Sequence, residues 1–231
     1  LVDGYEEEER WPDAIALLEE VASLTAEQEE RAVAWRRVES IALKSGDEAC
    51  ARRALEELLL LTPDDAAARE RLEAAYAAAE EHGAVASMLI RRADREEDAD
   101  ERIRLLKDAA RLFEVEVGDP ARAAQTLERL LEVEPANLPV LEELARLYEG
   151  SEAWDALLGA LERIAKHAPI ADIRTEVNLR AGRVLHHHLQ RPDDALELMV
   201  HAAASTGLRD DDLDWMRDAA ESSGAWNAWV L

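Results

Sequence analysis

Three residue types that build sites are nearly absent from this 231-residue chain: it holds one cysteine, one phenylalanine and three tyrosines. The single thiol, Cys50, can close no disulfide within the chain and supplies no cysteine-based metal site. It suits a reducing compartment, and the cytoplasm is the expected location. Lysine is scarce as well, with three residues against 24 arginines, and the 27 basic residues face 52 acidic ones. The resulting formal net charge of −25 repels nucleic-acid phosphates and anionic lipid, so neither is an expected partner. The densest basic stretch, Arg91-Arg92 with Arg95, is followed at once by Glu96, Glu97 and Asp98. No segment approaches the roughly 20 apolar residues of a membrane span. Leu58 to Leu61 is too short and lies between Glu57 and Pro63. The sequence opens on Leu1 and stops at Trp226–Leu231, where a new helix is expected to begin. It therefore reads as a piece of a longer protein, whose targeting signals can lie elsewhere.

Helix formers fill the space these absences leave. Alanine, leucine, glutamate and arginine dominate, a mixture that also suits a GC-rich bacterial genome. Hydrophobic residues reach 48%, enough to bury a core and to argue against disorder despite the net charge. The chain also repeats itself. Pro63 and Pro135 are 72 residues apart, and Gly207 stands 72 beyond Pro135. Gly46-Asp47 recurs as Gly118-Asp119, with Gln190-Arg191 in the third place. An apolar residue after a loop falls at Trp11, Val85, Trp154 and Trp226. A fixed period of this kind implies stacked units that cover one another's apolar faces.

Each 72-residue block divides into four helices. From Ala99 to Val117, apolar residues at Ile103, Leu106, Ala110, Phe113 and Val117 follow helical spacing. Gly118-Asp119-Pro120 ends that helix and starts the next, since glycine closes helices, aspartate caps them and proline fits their first turn. The second helix carries Ala123, Leu127, Leu130 and Leu131 up to Pro135. A third runs from about Leu138 to Tyr148, and a fourth carries Trp154, Leu157, Leu161 and Ile164.

These residues resemble the tetratricopeptide repeat, a pair of antiparallel helices of roughly 34 residues. Leu144-Ala145-x-x-Tyr148 fits the family's first helix. Gly118-Asp119-x-x-x-Ala123 with Leu127, Leu130 and Pro135 fits the second, and Gly46-Asp47 through Ala51, Leu55, Leu58 and Pro63 repeats it. Small residues stand where the two helices cross closely. The chain departs from the pattern in its long first helices, in Gly207 for the closing proline, and in alternate units without Gly-Asp. The resemblance implies an all-α, right-handed α-solenoid of antiparallel hairpins, and the 72-residue period, which the family does not require, makes it a double repeat of two alternating units. The expected hairpins are 31–64, 66–97, 99–136, 138–169 and 171–207. Partial units are expected at 1–30 and 210–231, the whole forming one solenoid.

Few motifs suggest chemistry. His186-His187-His188, with His201 beyond, could approach a metal across the turn at Pro192. Consecutive helical residues point about 100° apart, and imidazoles at a helix C-terminus are accounted for by its dipole. Asp210-Asp211-x-x-Asp214 spells the aspartate-rich motif of prenyl-diphosphate enzymes, yet no second motif accompanies it and aspartates cap helix starts. No phosphate loop or nucleophile setting is present. Trp11, Trp35, Trp154 and Trp226 lie at apolar phases and read as core; Trp215 and Trp229 fit no such phase. No catalytic residue, metal or cofactor is expected.

One pattern points to binding. In the resembled family the first helices line a concave groove. Two residues before Phe113, Tyr148 and Leu185 stand Arg111, Arg146 and Arg183, with Lys107 near the first of them. The resemblance implies an arginine ladder that would select an acidic peptide or a free C-terminus. The alternative is local pairing, as Glu142 and Arg146 could make at i, i+4. The expected function is a protein-interaction scaffold for a peptide or partner domain. A regulatory segment of a larger multidomain protein is a second reading. A third is self-association through open repeat ends at Trp226 and Trp229.

Overall fold

The computed structural model describes residues 1–206 together with Arg217, Ala220 and Glu221. All the regular structure among them is helical: α1 (Val2–Glu7), α2 (Trp11–Leu24), α3 (Gln28–Ser45), α4 (Glu48–Leu61), α5 (Ala66–Ala78), α6 (His82–Ala93), α7 (Ala99–Arg111), α8 (Pro120–Val133), α9 (Leu138–Gly150), α10 (Trp154–His167), α11 (Ala171–His187) and α12 (Pro192–Thr206). A π-helical turn, Leu112–Val117, extends α7. Short connections join each helix to the next in antiparallel hairpins. The chain divides into two compact units, Leu1–Met88 and the residues from Leu89 onward. In each, helices pack chiefly on their neighbours in sequence, the contact pattern of an α-solenoid.

Local chemistry sets the helix boundaries. Asp47, Asp65, Asp98, Asp119 and Asn137 each accept a hydrogen bond from the amide three residues on, at 2.9 to 3.2 Å, and so start α4, α5, α7, α8 and α9. The starts expected at Ala99, Pro120 and about Leu138 are those observed, and the helix expected to carry Trp154 begins there. The long first helix also has its explanation. Its last six residues, Leu112–Val117, wind as a π-helix, which takes up extra length before Gly118 closes the turn at φ 70°.

Two turn types alternate. Gly46, Gly118 and Gln190 adopt left-handed φ of 77°, 70° and 55° after α3, α7 and α11. Glu9, Glu80 and Glu152 do so at 54°, 56° and 55° after α1, α5 and α9. In the glutamate turns the amides of Arg10, Glu81 and Ala153 donate to the carbonyls of Tyr5, Tyr76 and Tyr148 at 2.8 to 2.9 Å. All three tyrosines of the chain therefore hold equivalent places. This corrects the marker series: the residue in line with Trp11 and Trp154 is His82, which begins α6, and not Val85. Gln190 occupies a backbone state that its two counterparts give to glycine. Gln190→Gly is expected to raise unfolding free energy by about 1 kcal/mol, read from urea denaturation; an unchanged or lower midpoint would contradict this.

The cores are built from leucine and small residues. Ala14, Ile15, Leu18, Val38, Ile41, Ala42, Ala51 and Ala54 cluster between α2, α3 and α4. Leu55, Leu58, Ala68, Leu72 and Met88 form a second cluster, and Trp35 packs against both. From Leu89 onward, Leu106, Phe113, Leu127, Leu130, Leu141, Leu144, Leu157 and Leu161 are buried, with Ala110, Ala123 and Ala145 at the close approaches.

Candidate functional site

Two series of ion pairs tie successive hairpins together. On the first helices, Arg37 meets Glu6 at 2.9 Å, Arg71 meets Glu39 at 2.9 Å, Arg146 meets Glu114 at 2.7 Å and Arg180 meets Glu149 at 2.6 Å. On the second helices, Arg53 bonds Glu19, Arg163 meets Glu128 at 2.7 Å, and Arg129 bonds Asp94 just beyond α6. In every rung the arginine belongs to the later hairpin and the acid to the earlier one. The partners are 31 to 32 residues apart in the first series and 34 to 35 in the second.

The first series organises the four basic residues singled out in the sequence. Lys107 and Arg111 stand four residues apart on α7 and share one stripe, and Glu114 follows in the π-helical turn that extends it. Arg146 reaches from α9 to Glu114, and three residues on, Glu149 takes Arg180 of α11, with Arg183 one turn further. The result is a ribbon of charge that crosses α7, α9 and α11. Lys107, Arg111, Arg146 and Arg183 are all exposed. Arg146 bonds Glu114 rather than the local Glu142, Arg183 is engaged within the protein, and Lys107 and Arg111 enter no ion pair among the described residues. Sequence reasoning missed Glu114, Glu149 and Arg180. Their signal is an arginine 31 to 32 residues after a glutamate, both on first helices.

Tyrosine–glutamate bonds recur in the two units. The Tyr148 hydroxyl donates to Glu128 at 3.2 Å, and the Tyr76 hydroxyl donates to Glu56, 72 residues earlier in both members. Burial first, and then the adjacent carboxylate, push both phenols up to about 12. The native state thus holds these protons more tightly than an unfolded chain, whose phenols ionise near 10. Their stabilisation is complete below about pH 10 and is lost as pH rises toward about 12. A Tyr76→Phe/Tyr148→Phe variant is expected to lose less stability than the parent across that interval, measured by circular dichroism. Parallel losses would refute this. Glu39, 6% exposed, has its carboxyl raised by burial and partly restored by Arg71. Burial also raises the Cys50 thiol, which keeps it protonated and unreactive.

The other sequence motifs resolve as packing where they are described. His186 is buried near the end of α11, and the His188 ring stacks on Trp154 with centroids 3.5 Å apart and planes 15° apart. Among the described residues no group of three or more histidine, cysteine, aspartate or glutamate side chains could hold a metal ion. No helix among them is long and apolar enough to cross a membrane. Asp210, Asp211, Asp214, Gly207, Trp215, Trp226 and Trp229 lie outside the described residues, as does the side chain of His201.

No protein-family model matches the chain, and no curated protein does. Solved structures that align with it include YrrB, described as a tetratricopeptide-repeat protein with an unusual peptide-binding site. That match has 16% identity and a TM-score of 0.36, over 76% of this chain and 86% of that one. BtubC from P. vanneervenii aligns at 16% identity and a TM-score of 0.40, over 87% and 85%. A tetratricopeptide repeat protein from Parabacteroides merdae aligns at 11% identity and a TM-score of 0.33, over 95% and 81%.

Proposed function

We propose that this chain is a protein-interaction scaffold that holds an acidic segment of a partner protein across α7, α9 and α11. The observation that carries this reading is the charge ribbon, in which Lys107 and Arg111 stand exposed and outside any ion pair among the described residues. Most cations in the series already hold acids of the chain itself. Two that do not, on one stripe of an acidic protein, offer charge-assisted bonds to an incoming carboxylate. Arg146 and Arg183 extend the contact along the neighbouring first helices. Hairpins folded before the partner arrives lose little order on binding.

Fluorescence anisotropy with a labelled decapeptide of glutamate and aspartate tests the reading. Lys107→Glu/Arg111→Glu is expected to weaken binding by about 10-fold or more. Lys166→Glu, a control at an exposed site on α10, should leave it unchanged. Equal loss in both variants would mean that only net charge is felt, and no loss in either would exclude this surface.

A further inference from the structure

The first unit contains an open pocket of about 620 Å³ between α2 and α4, lined by Trp11, Pro12, Ile15, Glu19, Asp47 and Arg53 among others. Its meaning comes from the equivalent place in the second unit. Trp11 and Trp154 each begin the second helix of a hairpin, two residues after a left-handed glutamate, Glu9 and Glu152. Trp154 is covered by the His188 ring, which follows the next first helix, α11. The corresponding residues at the end of α3 are Lys44, Ser45 and Gly46, and none has a ring. Lys44 is held by Glu6 at 3.1 Å, and Ser45 lines the pocket with only its hydroxymethyl group. One tryptophan has its planar cover built in; the other opens onto a cavity.

We propose that this pocket receives an arginine side chain of a partner protein, with the guanidinium stacked on Trp11. Three observations select arginine. The chain already covers aromatic rings in this way, with Arg10 over Tyr5 at 4.6 Å and Arg122 over Phe113 at 4.0 Å from the ring centroids. The cover on Trp154 is likewise planar and nitrogen-bearing. The carboxylates of Glu19 and Asp47 line the cavity, in a protein whose net charge of −25 favours a cationic guest. Tryptophan is the best of the aromatic faces for a cation. Glu19 already bonds Arg53, so the charge at that edge is partly met, while Asp47 Oδ1 accepts from the Cys50 amide. The stacking face and the overall field therefore supply most of the selectivity. The inference rests on the scaffold reading only in taking the guest from a protein. The surface is a different one, on the second helices of the other unit.

The test is a ¹H–¹⁵N spectrum of the full chain, with the Trp11 indole signal assigned through Trp11→Phe. The probe is acetyl-Gly-Arg-Gly-amide, and the same peptide with neutral citrulline is the comparison. The Trp11 signal is expected to move saturably with the arginine peptide and to bind the citrulline peptide about 3- to 10-fold more weakly. Ser45→His, which places an imidazole in the cavity as His188 is placed over Trp154, is expected to abolish the response without disturbing the helices. A Trp11 signal that stays still, that answers both peptides equally, or that responds unchanged in Ser45→His would overturn the proposal. So would a signal that shifts with protein concentration alone, because the guest would then be a second copy. The acidic decapeptide should leave the Trp11 signal where it stands, because the two probes report on different residues. Failure here and failure of the acidic-peptide reading can therefore be told apart.

Discussion

Replacing Phe113 with alanine is expected to lower the unfolding free energy by about 3 to 5 kcal/mol, a large share of what a domain of this kind possesses. Phe113 is the single phenylalanine of the chain and is 1% exposed. It lies within the π-helical turn that ends the first helix, and its carbonyl accepts from the Asp119 amide at 2.7 Å. The Arg122 guanidinium sits 4.0 Å from its ring centroid, a contact worth about 0.5 to 1 kcal/mol where solvent reaches it. Truncation would remove the ring from between α7 and α8 and leave a void that neighbouring backbone cannot fill. Because repeats are stabilised mainly by their neighbours, the loss should appear as an earlier transition involving α7 and α8, ahead of the remaining helices. Urea denaturation followed by circular dichroism measures it. Phe113→Leu, closer in volume, should cost less than about 1.5 kcal/mol. Similar midpoints for the alanine variant and the parent would show that the ring is not the keystone of this hairpin.

The residues that could be read from sequence are those whose role depends on local geometry. Gly118-Asp119-Pro120 ends one helix and caps the next through contacts within six residues, so the boundary was legible without a structure. Helical phase placed Leu127, Leu130, Leu157 and Leu161 in the core for the same reason. Glu9, Glu80 and Glu152 were not legible as turn residues, because glutamate carries no preference for the left-handed state they adopt. The surrounding helices impose that state, and the tyrosine five places before the donating amide is the sign that marks it. The candidate site was half legible for a related reason. An exposed arginine at Arg111 and another at Arg146 look alike in sequence. Only the packing of α9 beside the end of α7 gives Arg146 a carboxylate and leaves Arg111 without one among the described residues.

That difference makes Glu114 a control on the proposed site. Glu114→Gln removes the carboxylate that Arg146 now grips at 2.7 Å, and should strengthen binding of the acidic decapeptide by about 3- to 10-fold. Two effects act in the same direction. The arginine, 59% exposed, is released to make its two-pronged contact with the guest, and a repelling charge leaves the turn that follows Lys107 and Arg111. The stability cost should stay within about 1 kcal/mol, since the pair is open to solvent and screened. In an Arg146→Gln background most of the gain should vanish, so the double-mutant cycle isolates the contribution of the freed guanidinium from the lost repulsion. A gain of equal size in both backgrounds would leave repulsion as the whole cause and remove Arg146 from the site. No gain in either would move the guest away from α7 altogether.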